Sequence, residues 1–238
     1  MAANDVQALV FDVFGTVVDW RSSIIDEGRS FGERLGVSTD WARFADSWRS
    51  RYQPSMEAVR SGKRAWTKLD ELHRESLLAL LEEFEIHAIS EADIDHFNRA
   101  WHRLRPWPDS VPGLTRLRTR FPLAPCSNGN VALLMNMARN AGLPWDAILG
   151  AEPARAYKPL PEAYLRTVDF LGLVPRQVML VAAHNGDLMA ASEQGLRTAF
   201  VARPTEYGPD QTQDLRAEHD FDYVASSMED LADQLLSL

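Results

Sequence analysis

A single cysteine, Cys126, stands in a chain of 238 residues, so no disulfide can close within it. No apolar run reaches the roughly 18 residues that a membrane-spanning helix needs, and no membrane partner is expected. Met1-Ala2-Ala3-Asn4-Asp5 lacks the basic flank and apolar stretch of a secretory signal, which together with the lone cysteine predicts a cytoplasmic location. Basic residues are outnumbered: 25 Lys and Arg face 34 Asp and Glu, for a formal net charge of −9. That balance argues against nucleic acid as a partner. It does not exclude an anionic substrate, because a few cations focused in a cleft decide that locally. The 6 histidines are scattered without zinc-ligand spacing. There is no internal repeat and no low-complexity segment. What is present is ordinary for a globular protein, 45% hydrophobic and 25% charged. The length allows one large domain or a core with an insertion.

The chain is organised around its first apolar run, Ala8-Leu9-Val10-Phe11-Asp12-Val13-Phe14-Gly15-Thr16-Val17-Val18. It reads as a buried strand ending on a carboxylate. A charge at the tip of a buried strand is costly unless it is paired or used, and ligands of open α/β sheets bind at the carboxyl ends of strands. Asp12 is therefore a candidate nucleophile. From about residue 22 to 104 the apolar spacing is helical, as in Trp41, Phe44, Ala45 and Trp48, and in Leu69, Leu72, Leu77, Leu80, Leu81 and Phe84. Ser90 with Asp93 reads as a helix start. Arg105-Pro106-Trp107-Pro108 ends this stretch.

Beyond Val111 strands and helices alternate. Helices are predicted near Leu114–Arg120, at Val131–Ala141, from Tyr157-Lys158-Pro159-Leu160-Pro161 to about Leu171, after Asp187 through Gln194, and at Met228–Leu236. Strands are predicted at Phe121–Cys126, Val178–Val181, Thr198–Val201 and, more weakly, Tyr223-Val224. This pattern predicts an α/β fold, a doubly wound parallel-sheet core with a helical insertion after its first strand. The expected division is 1–20 with 108–238 as core and 21–107 as insertion. An insertion there overlies the carboxyl edge of the sheet and can act as a lid.

Four strand ends or loops present polar groups: Asp12 with Thr16, Ser127 with Asn128, Lys158, and Asp187. A nucleophilic carboxylate needs a cation to stay ionised, a donor to orient it, and a group to activate water. Lys158, Thr16 and Asp187 suit those roles in that order. Singly, a strand-end Asp is as often structural, and Ser-Asn-Gly is usually only a turn. Their order, each after an apolar run, gives the set its weight. Cys126 reads as a small apolar filler, the Trp41, Phe44, Trp48, Trp101 and Trp107 rings as core of the insertion, and Arg203–Gly208 as a surface loop near the site.

Asp12-Val13-Phe14-Gly15-Thr16, Ser127-Asn128, Lys158-Pro159 and Asp187 resemble the motifs of the haloacid dehalogenase-like superfamily, and the likeness covers nearly the whole chain, cap included. Most members are magnesium-dependent phosphatases with a second aspartate two residues after the nucleophile. Here that position is Phe14, which cannot move a proton. Magnesium commonly takes one or two carboxylates with phosphate oxygens, and Asp187 is the only acid between Val181 and Ala191. No metal or other cofactor is expected. An aromatic after the nucleophile and one late aspartate look like the L-2-haloacid dehalogenases (type II). That resemblance implies attack of Asp12 on the halogen-bearing carbon, loss of halide with inversion, and hydrolysis of the ester to a 2-hydroxy acid. It also implies that Arg49, within Asp46-Ser47-Trp48-Arg49-Ser50-Arg51-Tyr52, faces the halogen. Thr16 would orient Asp12, Lys158 pair with it, and Asp187 activate water. Phe14, Ser127, Asn128, Tyr164, His184 and Asn185 are the expected substrate-contacting residues, Ser127 on the carboxylate and Asn128 on the halide.

The chain departs from the family's Ser-Asn-Ala-Trp-Asp type of motif, reading Ala183-His184-Asn185-Gly186-Asp187. His184 has three open readings: donor to a departing halide, orienter of water, or a ring satisfied by neighbouring backbone. A donor-rich pocket would suit fluoride. Partners are expected to be a haloacid, the halide ion and a second copy in a homodimer, the last from the resemblance and from apolar faces on the cap helices. A phosphatase of a small phosphorylated metabolite and a non-catalytic binding protein on the same fold stand as alternatives.

Overall fold

The computed structural model describes residues 5–237; Met1–Asn4, which the signal reading concerned, lie outside the described residues. β1 (Ala8–Phe11) leads through the loop that carries Asp12 to a two-residue strand, β2 (Val18–Asp19). Five helices follow: α1 (Trp20–Leu35), α2 (Trp41–Ser50), α3 (Tyr52–Arg60), α4 (Leu69–Glu83) and α5 (Glu91–Asn98). A 3₁₀ turn at Arg99–His102 then delivers the chain to β3 (Arg105–Pro106), which pairs antiparallel with β2 through Val18–Pro106 and Asp19–Arg105. The rest alternates: α6 (Ser110–Leu117), β4 (Leu123–Pro125), α7 (Val131–Ala141), α8 (Ala151–Ala154), α9 (Pro161–Phe170), β5 (Val178–Ala182), α10 (Asn185–Glu193), β6 (Arg197–Val201), β7 (Tyr223–Ala225) and α11 (Met228–Leu236).

Side-chain alternation decides the layering. Leu9 and Phe11 of β1, with Met179 and Val181 of β5, pack into one apolar cluster with Leu114, Leu133, Met137 and Leu231 from α6, α7 and α11. Val10, Leu180 and Ala182 point the other way, into a second cluster with Tyr164, Val168, Leu188 and Ala191 from α9 and α10. Both faces of the sheet are thus covered, as an all-parallel sheet requires. The strand order is β4-β1-β5-β6-β7, every pairing parallel. β1 lies inside the sheet, between β4 and β5, so Asp12 emerges among neighbouring strand ends.

Capping chemistry fixes the helix starts: Asp19 accepts from Ser22 N, Asp40 from Ala42 N and Arg43 N, Ser90 from Asp93 N, and Ser227 from Asp230 N. Some elements differ from their sequence-based expectation for local reasons. The helix expected over Leu114–Arg120 begins earlier, where Ser110 Oγ donates to Val17 O, and ends in tight turns after Leu117. Tyr157-Lys158 stays non-helical: Lys158 N donates to Asn128 Oδ1 at 2.7 Å, and α9 starts at Pro161.

Two expectations fail outright. Arg203–Gly208 is no surface loop at its charged residues, since Arg203 is 7% exposed and Glu206 1%. The guanidinium donates to Thr16 O at 2.8 Å and to both oxygens of Asp109, which also accepts from Met228 N. Nor do the cap helices present the apolar faces on which the homodimer reading partly rests. Trp41, Phe44, Trp48, Leu72, Leu77 and Leu80 are buried, and Leu78 is the large apolar residue of α1–α5 that is exposed among the described residues. No helix among them is long and apolar enough to cross a membrane.

A buried cation left without its counter-charge is costly, about 3 kcal/mol or more. Asp109→Ala is therefore expected to lower the unfolding free energy by about that amount, measured by urea titration. A loss under about 1 kcal/mol would show that Arg203 does not depend on the pair.

Candidate active site

The end of β1 holds Asp12 in place by its backbone, whose N–H donates to Val181 O at 3.0 Å. Its carboxylate is 7% exposed and fully engaged. Lys158 Nζ donates to Oδ1 at 2.9 Å, and Thr16 Oγ1 donates to Oδ2 at 2.9 Å. Thr16 Oγ1 in turn accepts from Ala183 N, so the one proton of its hydroxyl is directed at Asp12. Lys158 Nζ also donates to Asp187 Oδ2 at 2.5 Å, and Tyr164 OH donates to Asp187 Oδ1 at 2.6 Å. Burial by itself would raise the Asp12 pKa, but Lys158 and His184 override it and hold the carboxyl far below the usual range. Burial likewise opposes the charge on Lys158, yet Asp12 and Asp187 keep its pKa well above the ordinary lysine value. Asp12 is ionised across the physiological range.

His184 fills a position the sequence left open. Its Nδ1 lies 3.2 Å from Asp12 Oδ2 and its Nε2 lies 2.9 Å from Glu206 Oε2, a carboxylate the sequence reading overlooked. Glu206 Oε1 accepts from Trp20 Nε1 at 3.0 Å. Burial disfavours the imidazolium, but Glu206 and then Asp12 outweigh it and raise the His184 pKa well above the ordinary value. The approach is close because position 15 is glycine: with φ of +89°, a Cβ there would lie 2.0 Å from Glu206 Oε1. Glu206 lies in the loop after β6, past Arg203, where no local sequence signal marks it.

These groups open onto a cleft of about 620 Å³ between sheet edge and cap, lined by Asp12, Phe14, Asn128, Lys158, Tyr164, His184 and Asp187 from the core and by Arg49, Tyr52, Gln53 and Arg60 from the cap. Arg49, on α2, stacks over the Tyr52 ring at 4.2 Å and the Trp20 ring at 5.3 Å. Its Nη1 is buried with no hydrogen-bond partner. Such a donor is costly to leave unmet, so the cleft is suited to an anion. Phe14 lies between Tyr52 and Trp101, ring centroids 6.2 and 6.0 Å away. Tyr52 and Tyr207 are further lining residues absent from the sequence reading.

Two expected residues lie elsewhere. Ser127 is buried beneath the cleft; its Oγ accepts from Gly129 N, and a Cβ on Gly150 would meet Ser127 O at 2.4 Å. Asn185 does not line the cleft at all. Its side chain binds Asp214 Oδ1, Arg216 O and Glu218 N, because residue 185 opens α10 and turns toward the 214–218 segment. Trp107, half-buried, donates from Nε1 to Gly15 O.

The superfamily's magnesium does not fit these residues. The ammonium of Lys158 bridges Asp12 and Asp187 where a divalent cation would need their oxygens, and Phe14 replaces the second aspartate. Among the described residues no group of three or more His, Cys, Asp or Glu side chains converges to hold a metal.

The profile of the haloacid dehalogenase-like hydrolases matches residues 6–195. The (S)-2-haloacid dehalogenase of Xanthobacter autotrophicus is 29% identical over 200 residues, 83% of this chain and 76% of that protein. A defluorinating L-2-haloacid dehalogenase of known structure is 52% identical, with a TM-score of 0.95 over 97% of this chain and 95% of that one. Another L-2-haloacid dehalogenase is 49% identical, with a TM-score of 0.95 over 98% of this chain and 100% of that one. The chain belongs to the haloacid dehalogenase-like hydrolases and, within them, to the L-2-haloacid dehalogenases.

Proposed function

We propose that the protein hydrolyses short L-2-haloalkanoic acids, haloacetates and fluoroacetate included, to 2-hydroxy acids through an ester on Asp12. The observation that carries this reading is the pairing of an ionised, immobilised carboxylate with a guanidinium whose Nη1 is buried and unpartnered, across one cleft. The substrate is itself an anion, and its developing halide is a second one; Arg49 and Lys158 supply positive charge on both sides. The likeness to a defluorinating relative supports fluoride among the leaving groups. The ordinary surroundings of a hydrolase of this type, a cytoplasmic location and a homodimer, form part of the reading. A single buried thiol, its pKa pushed up to about 11 by burial, supports the first, and the family likeness supports the second.

The chemistry divides into two displacements. An oxygen of Asp12 attacks the carbon bearing halogen, and the carbon–halogen bond breaks on the opposite side with inversion. Phe14 cannot supply a proton, and a halide needs none. Water then adds to Asp12 Cγ, its proton passing to Asp187, and the 2-hydroxy acid leaves with the oxygen that had attacked. Because this second step occurs at the aspartyl carbonyl, the inverted centre is not touched again. Phe14 and the Lys158 bridge count against the phosphatase alternative.

Halide release from chloroacetate, L-2-chloropropionate and fluoroacetate, with and without a chelator, is the direct test. Chelator-insensitive release is expected; magnesium-dependent phosphate release from esters with no halide release would overturn the reading. Asp12→Asn is expected to abolish turnover with the fold intact, and one turnover in heavy-oxygen water to label Asp12 rather than product. Label appearing first in the hydroxy acid would mean direct attack of water on carbon. Arg49→Ala is expected to slow the first-turnover halide release by about 10²-fold or more; a near-normal rate would remove Arg49 from the mechanism.

A further inference from the structure

Three facts about His184 bear on its role. Both ring nitrogens are engaged, Nδ1 facing Asp12 Oδ2 at 3.2 Å and Nε2 facing Glu206 Oε2 at 2.9 Å. Thr16 directs its hydroxyl proton at the same Oδ2, while Oδ1 meets Lys158 Nζ. The halide departs from the side of the substrate carbon remote from Asp12, whereas His184 is bound to Asp12 itself. His184 is therefore misplaced to serve the leaving group and well placed to serve the aspartyl carbonyl.

We infer that His184 is a catalytic oxyanion donor for the ester-hydrolysis step and that Glu206 is the positioning residue that keeps its proton in place. The inference rests on the aspartyl-ester reading above and adds two roles to it. An oxygen that already accepts from Thr16 and lies 3.2 Å from the His184 imidazolium is the poorer nucleophile, so Oδ1 forms the ester and Oδ2 becomes its carbonyl. When water adds to Cγ, the carbonyl electron pair moves onto Oδ2, where the Thr16 hydroxyl is already aimed and His184 Nδ1 stands 3.2 Å away. Such donors matter most where charge develops. The intermediate then collapses: the Cγ–Oδ1 bond breaks, Oδ1 leaves as the hydroxyl oxygen of the product, protonated from Asp187, and Asp12, which keeps one oxygen and the second proton of the water, releases that proton to solvent and is again a carboxylate. No oxidant, reductant or further reactant is needed.

The need for Glu206 follows from a change of charge. In the resting site the imidazolium is held by two carboxylates, Asp12 and Glu206. Esterification neutralises Asp12 and removes one of them at the moment the N–H is required. Around His184 stand Asp12 from the loop after β1, Glu206 and Tyr207 from the loop after β6, Lys158 before α9, Asp187 on α10 and Arg49 on α2. Lys158 and Arg49 oppose a third cation, and Asp187 is tied to Lys158 and Tyr164. Glu206 is left to hold the proton, and its own orientation is set by Trp20 Nε1.

The test separates the two steps. Wild type and Glu206→Gln are mixed with chloroacetate, quenched in acid, and assayed for halide and for the mass of the intact protein. For Glu206→Gln, first-turnover halide release within about threefold of wild type is expected, with steady-state turnover lower by about 10²-fold and an ester adduct accumulating on the protein. Its hydrolysis step should acquire a basic limb near the ordinary histidine value of about 6.5, falling as pH rises, where wild type stays flat. If Glu206→Gln fails to fold by circular dichroism, His184→Gln carries the test, with the same adduct but no such limb. Equal slowing of both steps without adduct, or an unchanged pH profile in Glu206→Gln, would overturn the inference. Absence of halide from wild type would instead overturn the proposed function; halide from wild type with unaltered partitioning in the variants overturns the dyad alone.

Discussion

One buried ammonium shared between two carboxylates governs this site. Lys158 Nζ touches Asp12, just past the end of β1, and Asp187, in the first turn of α10 after β5, and desolvation makes all three charges dependent on one another. Removing any of them strands the others in a poorly solvated place. The sheet topology makes the meeting possible: β1 lies beside β5, so the residues after their carboxyl ends emerge as neighbours. Asn128, at the end of β4 on the other side of β1, fixes the backbone of Lys158. Tyr164 from α9 holds Asp187. A core of apolar strands thereby becomes a rigid frame for a set of charges.

The cap completes the site by supplying positive charge and rings. Arg49 and Tyr52 reach the cleft from α2 and α3, and Phe14 packs between Tyr52 and Trp101. Side chains also bind cap to core directly. Arg60 donates to Lys158 O at 2.8 Å, and Asn130 pairs end-on with Asp70, giving one hydrogen bond to its carboxylate and receiving one from its N–H. His102 extends that last contact to Asn136. The part of the cleft that carries Arg49 and the part that carries Asp12 thus belong to different layers joined at the β2–β3 neck.

Much of this was legible in the residues because it obeys local rules. Asp12, Lys158 and Asp187 follow apolar or proline-marked segments, and their side chains meet as the strand-end rule requires. Helices α7 and α11 match their apolar periodicity to the residue. Less local features were hidden. Glu206 sits in a polar-looking loop, its partner His184 22 positions earlier and Trp20 186 positions earlier. Arg203 and Asp109 are separated by 94 positions. Sequence gives a residue's polarity but not its direction, which is why Asn185 read as a substrate contact while its side chain bonds to the protein itself. The apolar stripes of the cap read as faces in search of a partner, but the helices supply that partner to one another through ring contacts such as Phe31–Phe97 and Phe44–Phe97.

The crowding of Gly15 against Glu206 limits how this protein can diverge. Any side chain at 15 would occupy the volume of the Glu206 carboxylate, so the two positions are free to change only as a pair. A relative that acquires alanine at the first must shed the carboxylate at the second, and with it the charge partner of His184. Glycine at the position matching 15 together with glutamate matching 206 is therefore a two-letter mark of the histidine form of this site.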